Sequence, residues 1–466
     1  MSVRTRQIPS LFATLLAVST LTPAAVAQEP IPAPGEISES YREVADRLID
    51  AALADSFAYE RLTELVDRFG HRFSGSMSLE HAIDWIIVEM NRDGLENVRG
   101  EPVLVPHWVR GEESLELIEP RRAKLTMLGL GGSVGTPAEG VQAEVLVVRS
   151  FDELEARKGE VPGKIVLLNA PFTSYGQTVT YRVHGASEAA RHGAVASLIR
   201  SVTPFSMQTP HTGQMRYDNE LPQIPHAAIT VEDAEMLQRM QDRGERIEVT
   251  LKMGATTLPD IPSRNVVAEL VGRERPEEVV VIGGHIDSWD VGQGAMDDGG
   301  GSVAAWEAVR LMKELGLRPR RTVRVVLWTN EENGVRGGYT YRDTHAAEVP
   351  NHVLAIESDG GVFKPLGFGF SGSSAALEIV REIGDLLHRI DAGEITQPGG
   401  GADIGPLMQD GVPGMGLRVE GDRYFWYHHT EADTVDKLDP REMAECVAAM
   451  AVMAYVVADM PQRLPR

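Results

Sequence analysis

Cysteine is almost missing: Cys446 is the only one in 466 residues, so no disulfide can close within the chain, which must be held by its core or by bound metal. Positive charge is also in deficit. Forty-five Lys and Arg face 68 Asp and Glu, a formal net charge of −23. An acid excess of this size repels phosphate backbones and anionic headgroups, so nucleic acid and membrane surfaces are excluded as expected partners, while cations are attracted. Beyond the N-terminal region no stretch reaches the roughly 18 consecutive apolar residues of a membrane helix. No Asn-x-Ser/Thr acceptor occurs, which favours a bacterial source over a glycosylating one.

What is present describes an ordinary globular chain, with 42% hydrophobic and 24% charged residues. Its length predicts two or three domains. Residues 1–27 read as a cleaved export signal, with Arg4 and Arg6 before the apolar run Leu11 to Leu21 and Ala25-Val26-Ala27 as the cleavage motif. The expected product is secreted or periplasmic.

Ile37 to Leu65 and Leu79 to Asp93 read as amphipathic helices, and Glu101 to Val109 as a strand. From Gly111 to Gly254 the texture changes to short β-branched runs between Gly and Pro, which predicts an inserted β-rich domain over 111–254. Its expected core strands are Val145 to Val148, Ile165 to Leu168 and Val195 to Ile199, with a short helix over Gly185 to His192. Residues 28–110 and 255–466 then form one discontinuous domain. There Glu278 to Ile282, Thr322 to Trp328 and His352 to Ile356 are Val-rich strands alternating with helical segments such as Gly301 to Leu315. This alternation predicts an α/β fold, a mostly parallel mixed sheet with helices on both faces, whose ligands bind beyond the carboxyl ends of the strands.

Polar residues gather at those ends. His285, Asp297, Glu332, Asp359 and His429 offer imidazole nitrogen and carboxylate oxygen without thiolate, a donor set suited to zinc, with cobalt or manganese as substitutes. With one carboxylate bridging, five ligands can hold two ions and leave positions open. Each residue alone has a plainer reading: Asp297 or Asp298 as a helix cap, His285 as a buried imidazole, Glu331 and Glu332 as a solvated turn, His428 and His429 as surface residues beside Tyr424 to Tyr427. Five such groups at successive strand ends of one sheet make the metal site the stronger reading.

The segments Gly283-Gly284-His285-Ile286-Asp287-Ser288-Trp289-Asp290, Ala295-Met296-Asp297-Asp298-Gly299-Gly300-Gly301, Thr329-Asn330-Glu331-Glu332, Glu357-Ser358-Asp359 and His428-His429-Thr430-Glu431-Ala432-Asp433 resemble the M28 zinc peptidases, specifically the carboxypeptidase Q branch. The insertion resembles that family's protease-associated domain through Gly163 to Leu168 and Ile224 to Ile229. The resemblance implies a zinc-dependent exopeptidase fold and two zinc ions bridged by Asp297, with His285 and Asp359 on one and Glu332 and His429 on the other. It implies Glu331 as the catalytic base and Asp287 as the partner that orients His285. It also implies a cis peptide between Asp297 and Asp298, and it chooses His429 over His428 because the ligand precedes Thr430.

On this reading the substrates are short peptides or dipeptides, cleaved in carboxypeptidase, aminopeptidase or dipeptidase fashion, and the family also allows a homodimer. Glu331 would take a proton from the attacking water and pass it to the departing amine. Other readings are a catalytically silent receptor on the same fold or a single-zinc acyl transferase. Gly131-Gly132-Ser133-Val134-Gly135 fits a serine-nucleophile pattern and Gly367 to Gly372 a dinucleotide pattern, but both read as Gly-rich turns. Ser371 to Ser374, Gly399 to Asp403 and Tyr424 to Tyr427 are candidate pocket loops.

Overall fold

Two eight-stranded sheets organise the chain in a computed structural model that describes Ser2 and residues 35–466. The expected export signal therefore lies, Ser2 apart, outside the described residues. In chain order, β1 (Glu96–Val109) leads into β2 (Glu113–Glu119), β3 (Ala123–Leu125), β4 (Met127–Gly129), β5 (Val141–Val148), β6 (Ile165–Leu168), β7 (Ala196–Arg200), β8 (His226–Ile229) and β9 (Glu248–Met253). The chain returns through β10 (Thr256–Leu270), β11 (Arg275–His285), β12 (Arg321–Trp328), β13 (His352–Glu357), β14 (Pro365–Ser371), β15 (Glu394–Thr396) and β16 (Gly414–Val419). One sheet has the order β1-β10-β12-β11-β13-β16-β14-β15 and the other β3-β2-β9-β5-β6-β7-β8-β4.

In the first sheet β12, β11, β13 and β16 run parallel, and antiparallel pairs flank them. The valine runs are apolar without alternation because helices cover both faces. Val280, Ile282, Val323, Val325 and Leu327 face a layer that includes the helices Glu36–Ala54, Gly300–Glu314 and Pro440–Asp459. Val279, Val281, Val326 and Trp328 pack on Tyr341 and Leu407 behind. The helix Pro440–Asp459 is buried continuously from Met443 to Ala458. Pro at its first position and the Asp439 carboxylate, which accepts from the Arg441 and Glu442 amides, start it cleanly.

All strands of the second sheet fall between Glu113 and Met253. Its centre, β5 to β8, is parallel, with Ala186, Ala189 and Ala190 of the helix Tyr175–Arg191 on one face and Ala234 and Leu237 of the helix Val231–Asp242 on the other. The β-rich insertion is thus itself a small α/β layer.

Three local expectations are corrected. Ile37 to Leu65 is two helices, Glu36–Ala54 and Phe57–Phe69, because Asp55 turns extended and its carboxylate accepts the Phe57 amide, starting a second helix. The helix expected over Gly185 to His192 begins ten residues earlier, at Tyr175. Gly367 to Gly372 is not a turn but lies mostly within β14, which leads to the helix Ser374–Gly384. The glycine at 367 is required by close strand packing: a Cβ there would sit 1.9 Å from the Glu394 carbonyl oxygen, and its φ is +141°.

Candidate metal centre

Parallel pairing sets the loops after β11, β12 and β13 on one edge, since His285 lies opposite Trp328 and Gly283 opposite Glu357. His285 ends β11, Glu331 and Glu332 follow β12, and Asp359 follows β13. Asp297 comes from the turn before the helix Gly300–Glu314, and its peptide with Asp298 is cis. His429 follows the short helix Tyr424–Tyr427 with φ +60°, a bend that sets both adjacent imidazoles toward Asp297.

The five candidate ligands converge in two groups that share Asp297. Its Oδ1 lies 3.2 Å from His285 Nε2, which is 3.5 Å from Asp359 Oδ1. Its Oδ2 lies 3.3 Å from His429 Nε2, which is 3.0 Å from Glu332 Oε2. His428 Nε2 also reaches Asp297 Oδ2, at 3.5 Å, and its ring stacks on His429 with centroids 3.5 Å apart. Glu331 and Glu332 line one cavity of about 260 Å³ with Asp297, Asp359, His428 and His429.

The surrounding framework is backbone hydrogen bonding to buried charge. Asp287 contributes its carbonyl oxygen, 3.0 Å from His285 Nδ1, more closely than its carboxylate at 3.7 Å. That carboxylate instead accepts from the Glu331 and Glu332 amides at 3.1 and 3.3 Å. Asp298 accepts from the His285 amide with one oxygen and the Gly301 amide with the other, both at 3.1 Å. Glycine is needed around it: a Cβ on Gly284 or Gly301 would approach an Asp298 oxygen to 2.3 Å.

Two further residues hold the Asp297 turn and were not singled out from sequence. Asp433 accepts from the amides of Ala295, Met296 and Asp297 at 3.1, 2.7 and 3.2 Å. Arg72, fully buried, donates to the carbonyls of Gly70, Ile286, Gln293 and Gly294 at 2.8–3.0 Å and so ties the two loops together. An isolated arginine far upstream carries no pattern that would reveal this.

Electrostatics fit a cation site. Burial, reinforced by Asp297, pushes Glu332 up to about 7, and its Oε1 has no hydrogen-bond partner. Burial and then the neighbouring Asp359, Glu332 and Asp287 charges raise Glu331 well above the usual carboxylate range, against the pull of His285. Burial acts the same way on Asp297, but hydrogen bonds with His285 and His429 and the charge of His428 hold it well below that range. So many buried carboxylates repel one another unless positive charge sits between them, and oxygen and imidazole donors 3.0–3.5 Å apart suit divalent ions.

Ser133 serves the second sheet. Its hydroxyl donates to the Val134 carbonyl and accepts the His226 amide, and the Trp108 indole donates to its carbonyl. Of the candidate pocket loops, only Tyr424 to Tyr427 lines the cavity, through Tyr424 and Phe425, while Gly399 to Gly401 line a separate depression with Met408. Tyr175 and Arg182, from the insertion, complete the cavity wall. Among the described residues no helix is long and apolar enough to cross a membrane.

The parallel sheet edge collects a donor set suited to divalent metal, and the family model for peptidase family M28 matches residues 265–454. The chain belongs to that family and is a peptidase. It is 53% identical to carboxypeptidase Q of Xenopus laevis over 92% of each chain. A solved peptidase M28 precursor from Shewanella amazonensis superposes with a TM-score of 0.88 at 34% identity, over 92% of this chain and 99% of that one. A zinc aminopeptidase from Bacillus subtilis shares the fold, with a TM-score of 0.67 at 19% identity over 88% of this chain and 97% of that one.

Proposed function

We propose that this chain is an exported di-zinc exopeptidase acting on short peptides or dipeptides. Asp297 would be shared between the two ions, with His285 and Asp359 holding one and Glu332 and His429 the other, and cobalt or manganese could substitute. The observation that carries the reading is the division of Asp297, one oxygen toward His285 and the other toward His429. Zinc in these positions supplies a Lewis acid for the peptide carbonyl and lowers the pKa of water.

The protein's own groups move the proton and set the geometry. Glu331, which lines the cavity beside Asp297, Glu332 and Asp359, accepts a proton from the attacking water and delivers it to the departing amine. Asp287 steers both shells at once, its carbonyl fixing the His285 ring and its carboxylate the Glu331–Glu332 loop. Residues 28–110 and 255–466 form the peptidase domain, and 111–254 is read as an inserted protease-associated domain that walls the cavity. The relatives' names span carboxypeptidase and aminopeptidase, so exopeptidase is the common ground.

The test is metal analysis together with a dipeptide panel. Two zinc ions per chain are expected, with hydrolysis abolished by a chelator and restored by added zinc. Purified protein that holds no transition metal, and that cleaves nothing when metal is supplied, overturns the proposal.

A further inference from the structure

A metal-bound imidazole usually donates its other ring N–H to a carbonyl or carboxylate, and the two candidate ligand histidines find that partner in different parts of the chain. His285 Nδ1 lies 3.0 Å from the carbonyl of Asp287, two residues away on its own loop. His429 Nδ1 lies 3.3 Å from the carbonyl of Thr212, which belongs to the insertion. A carbonyl only accepts, so this contact keeps the ring proton on Nδ1 and leaves the Nε2 lone pair facing Asp297 and Glu332. The Thr212 amide also donates to the His429 carbonyl at 3.0 Å, which joins the two residues twice.

Thr212 can act as a fixed point because it is itself fastened on several sides. It is fully buried, and its hydroxyl donates to the Gly129 carbonyl at 2.8 Å and accepts from Arg110 Nη2 at 3.3 Å. Arg110 in turn pairs with Asp290, on the loop after β11, through Nε at 2.9 Å and through Nη2. The Gly213 carbonyl accepts from the Gly131 amide, and the Gly131 carbonyl from the Met215 amide, both at 3.0 Å. Gly213 has φ +138°, and a Cβ there would lie 2.3 Å from Arg182 Nη1, so a conformation open only to glycine sets the peptide plane that carries the Thr212 carbonyl. Arg182 Nη1 donates to that same carbonyl at 3.3 Å.

The two metal positions therefore stand on different footings. The one with His285 and Asp359 is supported from within the peptidase loops, through the Asp287 carbonyl and the Asp298 carboxylate. The one with Glu332 and His429 depends on where the insertion sits, although none of the candidate ligands lies between residues 111 and 254. Linkage makes the dependence mutual: whatever Thr212 adds to the hold on an ion at His429, that ion adds to the hold on Thr212.

We propose that Thr212 is a positioning residue for His429, so that the insertion sets the metal affinity of one position of the pair and metal bound there fastens the insertion over the cavity. This rests on the di-zinc reading proposed above and gives the insertion a part in holding metal as well as in walling the cavity. Thr212 acts through one carbonyl and one amide and touches no ion itself.

Two measurements test it. Hydrogen exchange read by mass spectrometry compares the metal-free and zinc-loaded protein over residues 209–216, where the Thr212 amide is the reporter. Zinc is expected to slow exchange of that amide by about 10-fold or more and to leave β3, at the opposite edge of the second sheet, unchanged. Zinc titration of Gly213→Ala against a chromophoric chelator should show one ion held about 10–100-fold more weakly and the other as in wild type. Gly163→Ala, left-handed at φ +77° but with open space around its Cβ, should hold both ions at wild-type affinity. Exchange over 209–216 that ignores zinc overturns the assignment, as does a Gly213→Ala protein that holds both ions normally or weakens both alike. If Gly213→Ala does not fold, exchange in wild type decides. A protein that takes up fewer than two zinc ions refutes the di-zinc reading itself, whereas two tightly held ions with an unresponsive 209–216 segment refute only the role of Thr212.

Discussion

Acid should destabilise this protein through a histidine remote from the candidate centre, and the size can be worked from its surroundings. His352 begins β13 and is fully buried. Its Nδ1 lies 3.0 Å from the Glu348 carbonyl and its Nε2 3.0 Å from the Tyr341 hydroxyl, so a neutral ring meets both partners by donating to one and accepting from the other. Burial, aided by the Arg324 guanidinium and opposed by the Glu348 carbonyl, lowers its pKa to about 4. The unfolded chain titrates near 6.5 and so binds the proton first as pH falls; the stability from His352 is present above 6.5 and is lost toward pH 4. A gap of about 2.5 pH units at about 1.36 kcal/mol each corresponds to about 3 kcal/mol. Urea unfolding of wild type and His352→Gln, followed by tryptophan fluorescence at several pH values, isolates the effect. The variant is expected to be less stable at pH 7, where the hydrogen bonds are lost, and the deficit should shrink by about 3 kcal/mol by pH 4. The acid response of the centre cancels in the difference, because His352 and Asp359 sit at opposite ends of β13. A deficit independent of pH would refute the reasoning.

Three further outcomes are expected. Glu331→Gln should retain its metal but lose about 10²–10⁴-fold in kcat, checked by metal analysis beside steady-state rates, and near-normal turnover would reject Glu331 as the proton carrier. Gly301→Ala places a methyl 2.1 Å from the Ser358 carbonyl and against Asp298, so a loss of about 1–3 kcal/mol and weaker zinc retention should appear in chemical denaturation and dialysis; unchanged values would argue that the loop yields freely. Asp433→Asn removes a charged acceptor from three backbone amides and should weaken zinc affinity about 10–100-fold in competition with a chromophoric chelator, with equal affinity counting against its positioning role.

The sheet was legible because its central strands are buried on both faces, which leaves uninterrupted valine runs and places the polar residues just after them. The convergence of His285, Glu332 and Asp359 follows from that placement, whereas Asp297 comes from the turn before a helix and His429 from the end of a short one. Less visible was anything set by one contact. The helix that carries Tyr175 and Arg182 starts through Thr178, Val179, Thr180 and Tyr181, residue types that favour strands, and tertiary packing overrides them. Asp55 breaks a helix by a single carboxylate bond that periodicity does not register. Gly367 looked like a turn because a glycine needed for close strand contact reads the same as one needed for a bend.

The insertion leaves and rejoins the peptidase sheet through neighbouring residues. Val109 of β1 lies opposite Thr256 of β10, the Gly254 amide donates to the Glu112 carbonyl at 2.8 Å, and the pairing resumes at Glu113 and Met253. The two crossings form a narrow covalent neck, and contacts beyond it hold the insertion against the centre: the Thr212 amide donates to the His429 carbonyl at 3.0 Å, and Tyr175 stacks on Phe425 with ring centroids 5.0 Å apart. The insertion also contributes one jaw of the cavity through Tyr175 and Arg182. A candidate metal ligand is therefore braced from the insertion, and drift at Thr212 would be felt at His429 although no strand lies between them.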